Sequence, residues 1–295
     1  MDNRKSFDRT LDDVGNIVEL GHVNLTVPDQ ALATIFYVLG LGLTRDPYMM
    51  PGLDLMWVNV GRAQFHLPTR APTIMSGVIG LVVPDLDAAE RRFCAVRGPL
   101  ASTQFGYLRR GDCIEATCPW GNRLRLHAPD PARFGAITLD MPYLEFEAGP
   151  HARLAAIRDF YVEILGAVGG MDQDARGDFA WVAAGPGRRL IFRGSGQQRP
   201  FDGHHLQITL ADFSHPYRKL AALGLVTRDA DPHEYRFQDV VDPSSRAVLF
   251  TVEHEVRSMR HPLFGRALVN RDPDQTNRNY APGYESWRWA LRPES

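Results

Sequence analysis

The chain has 295 residues, 44% of them hydrophobic and 10% aromatic, enough for a substantial core and for two ordinary domains. Lys and Arg number 33 against 35 Asp and Glu, a balance that supplies no basic face and argues against nucleic acid as a partner. No apolar run has membrane-spanning length and the opening MDNRKSFDRTLDD lacks the apolar centre of a signal peptide, so no membrane partner and a cytoplasmic location are expected.

After a polar tail over residues 1–16, the segment HVNLTVPD starts at His22 and alternates in the two-residue period of a strand with one buried face. QALATIFYVLGLGL follows, with apolar residues at three- and four-residue spacing, and reads as an amphipathic helix closed by Gly42. LDLMWVNVGRAQFHLP then supplies strand-like pieces broken by glycine. A second unit opens at Val78 with VIGLVVPD, which repeats the Val-Pro-Asp ending, and continues through a weaker helix, LDAAERRFCAVRG, to the turn CPWGNRLRL. The three cysteines of this unit, Cys94, Cys113 and Cys118, cannot all pair and lack metal-binding spacing, so buried reduced thiols are expected.

Residues 127–137, HAPDPARFGAI, read as a linker. A third unit starts at Tyr143 with YLEFEAGP and carries the helix HARLAAIRDFYVEILGA, closed by Gly166, with the same Phe-Tyr then Leu-Gly spacing as the first. The fourth starts at His205 with HLQITLAD, followed by FSHPYRKLAALGL and YRFQDVVDPSSRAVLFTVEHE. Four starts at a period of ~60 residues make four units of strand, helix and several strands. Residues 257–295 lie outside the repeats and combine arginines with Trp287 and Trp289, the composition of a contact surface. This extension is expected to pack across the C-terminal cup or onto a partner subunit of a homo-oligomer.

These residues resemble the vicinal oxygen chelate superfamily of glyoxalases, bleomycin-resistance proteins and extradiol ring-cleaving dioxygenases. The resemblance rests on the HVNLTVPD opening, the two Phe-Tyr…Leu-Gly helices and the CPWGNRLRL and DPSSRAVLF turns, and covers residues 17–256. It implies an α+β fold of four βαβββ modules, paired into two cup-shaped mixed β-sheet barrels with helices outside. The four-module arrangement is similar to that of extradiol dioxygenases, which implies an N-terminal domain over 17–130 and a C-terminal domain over 138–256. Such cups hold a divalent metal on first and last strands, with a first-strand His and a last-strand Glu as typical ligands.

On that resemblance the metal belongs to the C-terminal cup. His205 takes the first-strand place, and FTVEH places Glu253 on the last strand. The third unit offers Tyr143, Glu145 and Glu147 on one face where a His is expected, with Glu145 as the substitute ligand. Glu145, His205 and Glu253 would hold one divalent ion, Fe, Mn, Zn or Mg, in a set that departs from two histidines and one carboxylate. His204 and His233 are candidates to move protons, and Tyr235 (or Gln238) is the nearest match to the tyrosine that ring-cleaving relatives place before the ligand Glu. The simpler readings are a turn-capping His204, a surface Glu253 paired with Arg257, and strand-end roles for His66 and His127.

The N-terminal cup, with His22, Gln64 or His66, Val78 and Arg125, reads as free of metal or as holding an anion near Arg125. The implied function is a metal-dependent enzyme acting on a small oxygenated molecule. Ring-cleaving dioxygenase stands first on architecture, glyoxalase-like lyase or isomerase second, and a non-catalytic binding or resistance protein is the reading of a different class.

Overall fold

The computed structural model describes residues 8–49, 52, 54–149, 152–194 and 199–272. Within them the four units are as the periodicity predicts. The first holds strands β1 (Ile17–Asn24), β2 (Thr44–Arg45), β3 (Leu55–Val60) and β4 (Ala63–Pro68), with helix α1 (Gln30–Ala33) running on as a π-helix over Thr34–Gly40. The second holds β5 (Gly77–Val82), α2 (Leu86–Val96), β6 (Gly106–Arg110), β7 (Cys113–Thr117) and β8 (Arg123–His127). A short helix α3 (Pro131–Phe134) occupies the linker. The third holds β9 (Asp140–Glu147), α4 (Leu154–Leu165), β10 (Gly169–Asp174), β11 (Gly177–Ala183) and β12 (Arg189–Arg193). The fourth holds β13 (His205–Leu210), α5 (Ser214–Ala222), β14 (Val226–Asp231), β15 (Glu234–Val241) and β16 (Val248–Ser258).

The repeated Val-Pro-Asp has a local cause. Asp29 and Asp85 are N-caps, accepting from Leu32 N–H in one unit and from Asp87 and Ala88 N–H in the other. The proline follows the strand and the carboxylate starts the helix. At the far end Gly166 caps α4 in the left-handed conformation at φ 71°, as its place after the Leu predicts.

The strands form two eight-stranded mixed sheets, ordered β14-β15-β16-β13-β1-β4-β3-β2 and β10-β11-β12-β9-β5-β8-β7-β6. The first unit therefore pairs with the fourth, through antiparallel β1 and β13, and the second pairs with the third, through antiparallel β5 and β9. This differs from the consecutive pairing expected over 17–130 and 138–256. The chain leaves the first sheet after β4, builds the whole second sheet, and returns. The sheets are also open cups rather than closed barrels, since β14 does not pair with β2 nor β10 with β6. Their edges are protected locally: β2 has two residues, and β10 presents the exposed, polar Asp172, Gln173 and Asp174.

Alternation sorts the side chains. Outward from the cups, the sheets bury rows such as Leu206, Ile208 and Leu210 or Leu144 and Phe146 against the helices. Helix α4 contributes Ile157, Phe160, Tyr161 and Leu165, all fully buried, each stabilising by roughly 1.5–3 kcal/mol. Of the three cysteines expected to be buried, the structure buries only Cys118 and leaves Cys94 exposed. Among the described residues no helix is long and apolar enough to cross a membrane.

Candidate metal centre

The inner face of the first sheet is polar and buried, an expensive arrangement unless its groups are paired. Its centre is a cluster of His22 on β1, His205 on β13 and Glu255 on β16, whose ligand atoms all lie within 4.8 Å of one another. His22 Nε2 is 3.4 Å from His205 Nε2 and 3.9 Å from Glu255 Oε1, and His205 Nε2 is 3.4 Å from Glu255 Oε2. Donors about 2.1 Å from one ion in tetrahedral geometry stand roughly 3.4 Å apart, so the spacing suits a shared divalent cation. Glu255 Oε1 is buried with no hydrogen-bond donor directed at it, although Arg257 Nη2 lies 2.5 Å away.

The protonation states suit ligation. Burial, then the nearby His66, Arg257, His205 and Arg236, hold His22 well below the usual imidazole range, so it is neutral. Burial alone would raise Glu255, but the hydrogen bond from His205 and the charges of Arg257 and Arg236 outweigh it and bring it down to about 2. Arg236 Nη2 contacts the second carboxylate oxygen, Oε2.

A stack of rings fixes the first imidazole. His22 lies on His66 at 3.7 Å between centroids, and His66 lies on Trp57 at 3.9 Å. His66 Nε2 faces Gln64 Oε1 at 3.3 Å; Gln64 Nε2 donates to Asn59 Oδ1 at 2.7 Å and Asp46 Oδ2 at 3.0 Å. Asp46 also accepts from Arg266 Nη2 at 2.7 Å. On the other flank Gln207 Nε2 donates to Thr209 Oγ1, and Thr209 to Glu19 Oε2. Gly21 leaves room for this: a Cβ there would stand 1.8 Å from Gln207 Oε1.

Of the residues expected to bind metal, the structure brings only His205 to this cluster. Glu145 belongs to the other sheet, where Arg176 grips both its oxygens at 2.7 and 2.6 Å and Arg193 adds a third contact at 3.1 Å. Glu253 is the direct register partner of His205 but pairs with Arg236 at 3.3 Å. Side chains lean along a strand, so His205 meets the carboxylate two positions on, Glu255. Tyr143 and Glu147 also lie on the second sheet, Tyr143 bonded to His127 and Glu147 to Arg123.

The proton-transfer candidates have other partners. His204 Nδ1 is 2.7 Å from Asp202 Oδ1, and Asp202 Oδ2 accepts from Ile74 N–H. His233 sits in the turn between β14 and β15, with Nδ1 3.5 Å from Ser258 Oγ. Tyr235 points to the helix side, packed on Phe213 and Tyr217, while its neighbour Arg236 takes the cup side.

Glu255 was missed, and His22 and His66 were singled out but assigned to a cup read as free of metal. Consecutive pairing gave His22 the wrong sheet partners, Val78 and Arg125. One signal was present: the first and fourth units begin their inner faces with histidines, whereas the second and third offer apolar, acidic and cationic residues there.

The C-terminal extension lies across this cup, as far as it is described. Leu263, Phe264, Arg266 and Leu268 line a remaining cavity of about 40 Å³ over His22. Asn59 Nδ2 donates to Val269 O, Asn270 and Gly61 exchange two hydrogen bonds, and Arg271 N–H donates to Thr44 Oγ1. Trp287 and Trp289 lie outside the described residues.

No family model matches the sequence, and no curated protein matches it significantly. Solved structures do match. A protein provisionally named a dioxygenase, from Bacillus subtilis subsp. subtilis str. 168, is 16% identical over 86% of this chain and 92% of its own, with a TM-score of 0.55. Glyoxalase I from Zea mays is 13% identical over 81% of this chain and 92% of its own, with a TM-score of 0.56. Both names belong to the superfamily that the sequence motifs resemble, and both chains are matched over nearly their whole length. The chain has the vicinal oxygen chelate fold, four βαβββ units in two open cups.

Proposed function

We propose that the chain is a metal-dependent vicinal oxygen chelate enzyme, closest in kind to a ring-cleaving dioxygenase, acting on a small molecule through two neighbouring oxygens. The observation that carries this reading is the convergence of His22, His205 and Glu255 from three strands within 4.8 Å. Two imidazoles and one carboxylate with open positions form the set that suits non-haem Fe(II), which replaces the one-imidazole set expected from sequence. A divalent ion there supplies a Lewis acid that polarises the paired substrate oxygens.

The chain's own residues do the rest. Neutral His22 offers a nitrogen lone pair, His205 brings the second imidazole, and Glu255 offers one negative charge. Arg236 and Arg257 keep that carboxylate ionised. The Trp57–His66–His22 stack fixes the angle of one ligand ring. Residues 261–268 exclude water and must shift to admit a substrate, since about 40 Å³ holds little more than a water.

The test is metal content. Wild-type protein, purified without chelator, is expected to carry close to one transition metal per chain. His22→Ala, His205→Ala and Glu255→Gln should each carry less than about a tenth of that. Equal metal in wild type and variants would remove the site. Oxygen uptake with a catechol then separates ring cleavage from a glyoxalase-like lyase or isomerase reaction.

The two arginines on Glu255 favour a second reading, a metal-free binding protein whose cup is held shut by ion pairs. A wild-type protein with folded-state stability indifferent to metal and chelator would establish that one instead.

A further inference from the structure

A larger cavity than the one over the histidines lies elsewhere among the described residues. The second cup, between the second and third units, encloses about 720 Å³, a size suited to a small organic ligand. Six arginines line it, against Asp13, Glu145 and Asp174. Three of those arginines are neutralised by geometry. Arg176 and Arg193 hold Glu145 and Asp174, and Arg188 is paired with buried Asp140 at 2.5 Å.

Arg125, Arg133 and Arg189 remain. Arg133 lies over the Phe134 ring at 4.7 Å and Arg189 over Trp181 at 4.5 Å. Arg125, whose side chain is only 19% exposed, reaches Glu115 at 3.4 Å, and that carboxylate is already held by Arg110 at 2.8 Å. Arg125 also meets the Tyr143 hydroxyl, and of the three it is the guanidinium placed to turn a donor to an anion in the cavity. Beside Arg125 the Tyr143 ring lies flat over β5, which only Gly80 permits: a Cβ there would come within 2.3 Å of the ring. The Tyr143 hydroxyl is 2.8 Å from His127 Nε2. On β11 the partly buried rings of Phe179 and Trp181 line the same cavity, with Arg193 lying over Phe179 at 4.4 Å.

The geometry points to a second ligand site in this cup, for a small aromatic anion whose carboxylate or phosphate meets Arg125 beside Tyr143 while its ring lies against Phe179 and Trp181. This site uses none of the residues proposed to hold metal, so the two cups serve different ligands.

Calorimetric titration of the full chain with benzoate, phenyl phosphate and neutral benzamide tests this. At least one anion should bind with a stoichiometry of one, and benzamide about tenfold or more weaker. The better anion identifies the head group. Arg125→Gln should weaken the anion about tenfold or more, and Arg125→Lys should recover part of the loss. Binding should persist in His205→Ala, which separates this site from the metal centre. Benzamide matching the anions, neither anion binding by about 10 mM, or binding lost in His205→Ala yet kept in Arg125→Gln would overturn the assignment. If Arg125→Gln does not fold, Trp181→Ala removes a partly buried ring and no charge; an unchanged affinity there overturns it equally.

Discussion

Tyr161 and His254 form a buried polar pair between helix α4 and strand β16. His254 Nδ1 donates to Val252 O at 2.9 Å, which leaves Nε2 to accept from the Tyr161 hydroxyl at 2.7 Å. Both residues are fully buried, so Tyr161→Phe leaves an unpaired nitrogen in the core. A loss of about 1–3 kcal/mol is expected in denaturant titration; a change under about 0.5 kcal/mol would show that the nitrogen finds another donor. His127 gives a pH dependence. Burial first, then Arg133 and Arg125, push it down to about 4, below the unfolded value of about 6.5. The unfolded chain therefore binds a proton between these values while the folded one does not. This contribution is fully present above pH about 6.5 and is lost as pH falls toward 4, by at most about 3 kcal/mol. His127→Gln should flatten that acid limb; parallel curves for wild type and variant would rule it out. At this scale the sequence revealed residue types better than partners. Only Glu253 was singled out on the last strand; Glu255 shares its face, and which carboxylate reaches His205 depends on the lean of side chains across a parallel pair.

At the scale of elements, the helices and first strands were legible because their signals are local: the Asp29 and Asp85 caps, the 3.6-residue apolar spacing, the Gly166 ending. The course of the C-terminal segment was not, since nothing local says which cup it crosses. Its role is clear from its partners. Arg266 reaches Asp46, Asp46 accepts from Gln64, and Gln64 faces His66, which stacks on His22. The crossing segment thus braces the cluster through four side chains. Arg266→Ala removes the charged donor from a buried carboxylate and is expected to cost about 2 kcal/mol. Ending the chain after Arg260 should lower the melting temperature further and speed the loss of bound metal to a chelator. An unchanged melting temperature would mean that the segment merely rests on the cup.

The pairing of units is a property of the whole molecule, and it is where the sequence reading failed. A period of ~60 residues says that four units exist; it does not say which two share a sheet. The observed pairing is matched by close contacts across the two central seams. Gly21 makes room for Gln207 between β1 and β13, and Gly80 makes room for Tyr143 between β5 and β9. Gly77 allows β9 to approach so closely that a Cβ there would stand 1.8 Å from Glu145 O. Exchanging the partners would strand each glycine opposite the wrong side chain. Residues 1–137 and 138–295, expressed apart, would each carry two central strands as open edges, β1 and β5 in one, β9 and β13 in the other. The strands β5 and β13 are buried at every position, so the halves should aggregate or remain unfolded alone. Expressed together they should assemble one-to-one, because each half brings the missing side of both cups. A soluble, cooperatively unfolding monomer of residues 1–137 would mean that β1 can pair with β5 after all. His22 would then lose both His205 and Glu255, and the metal site with them.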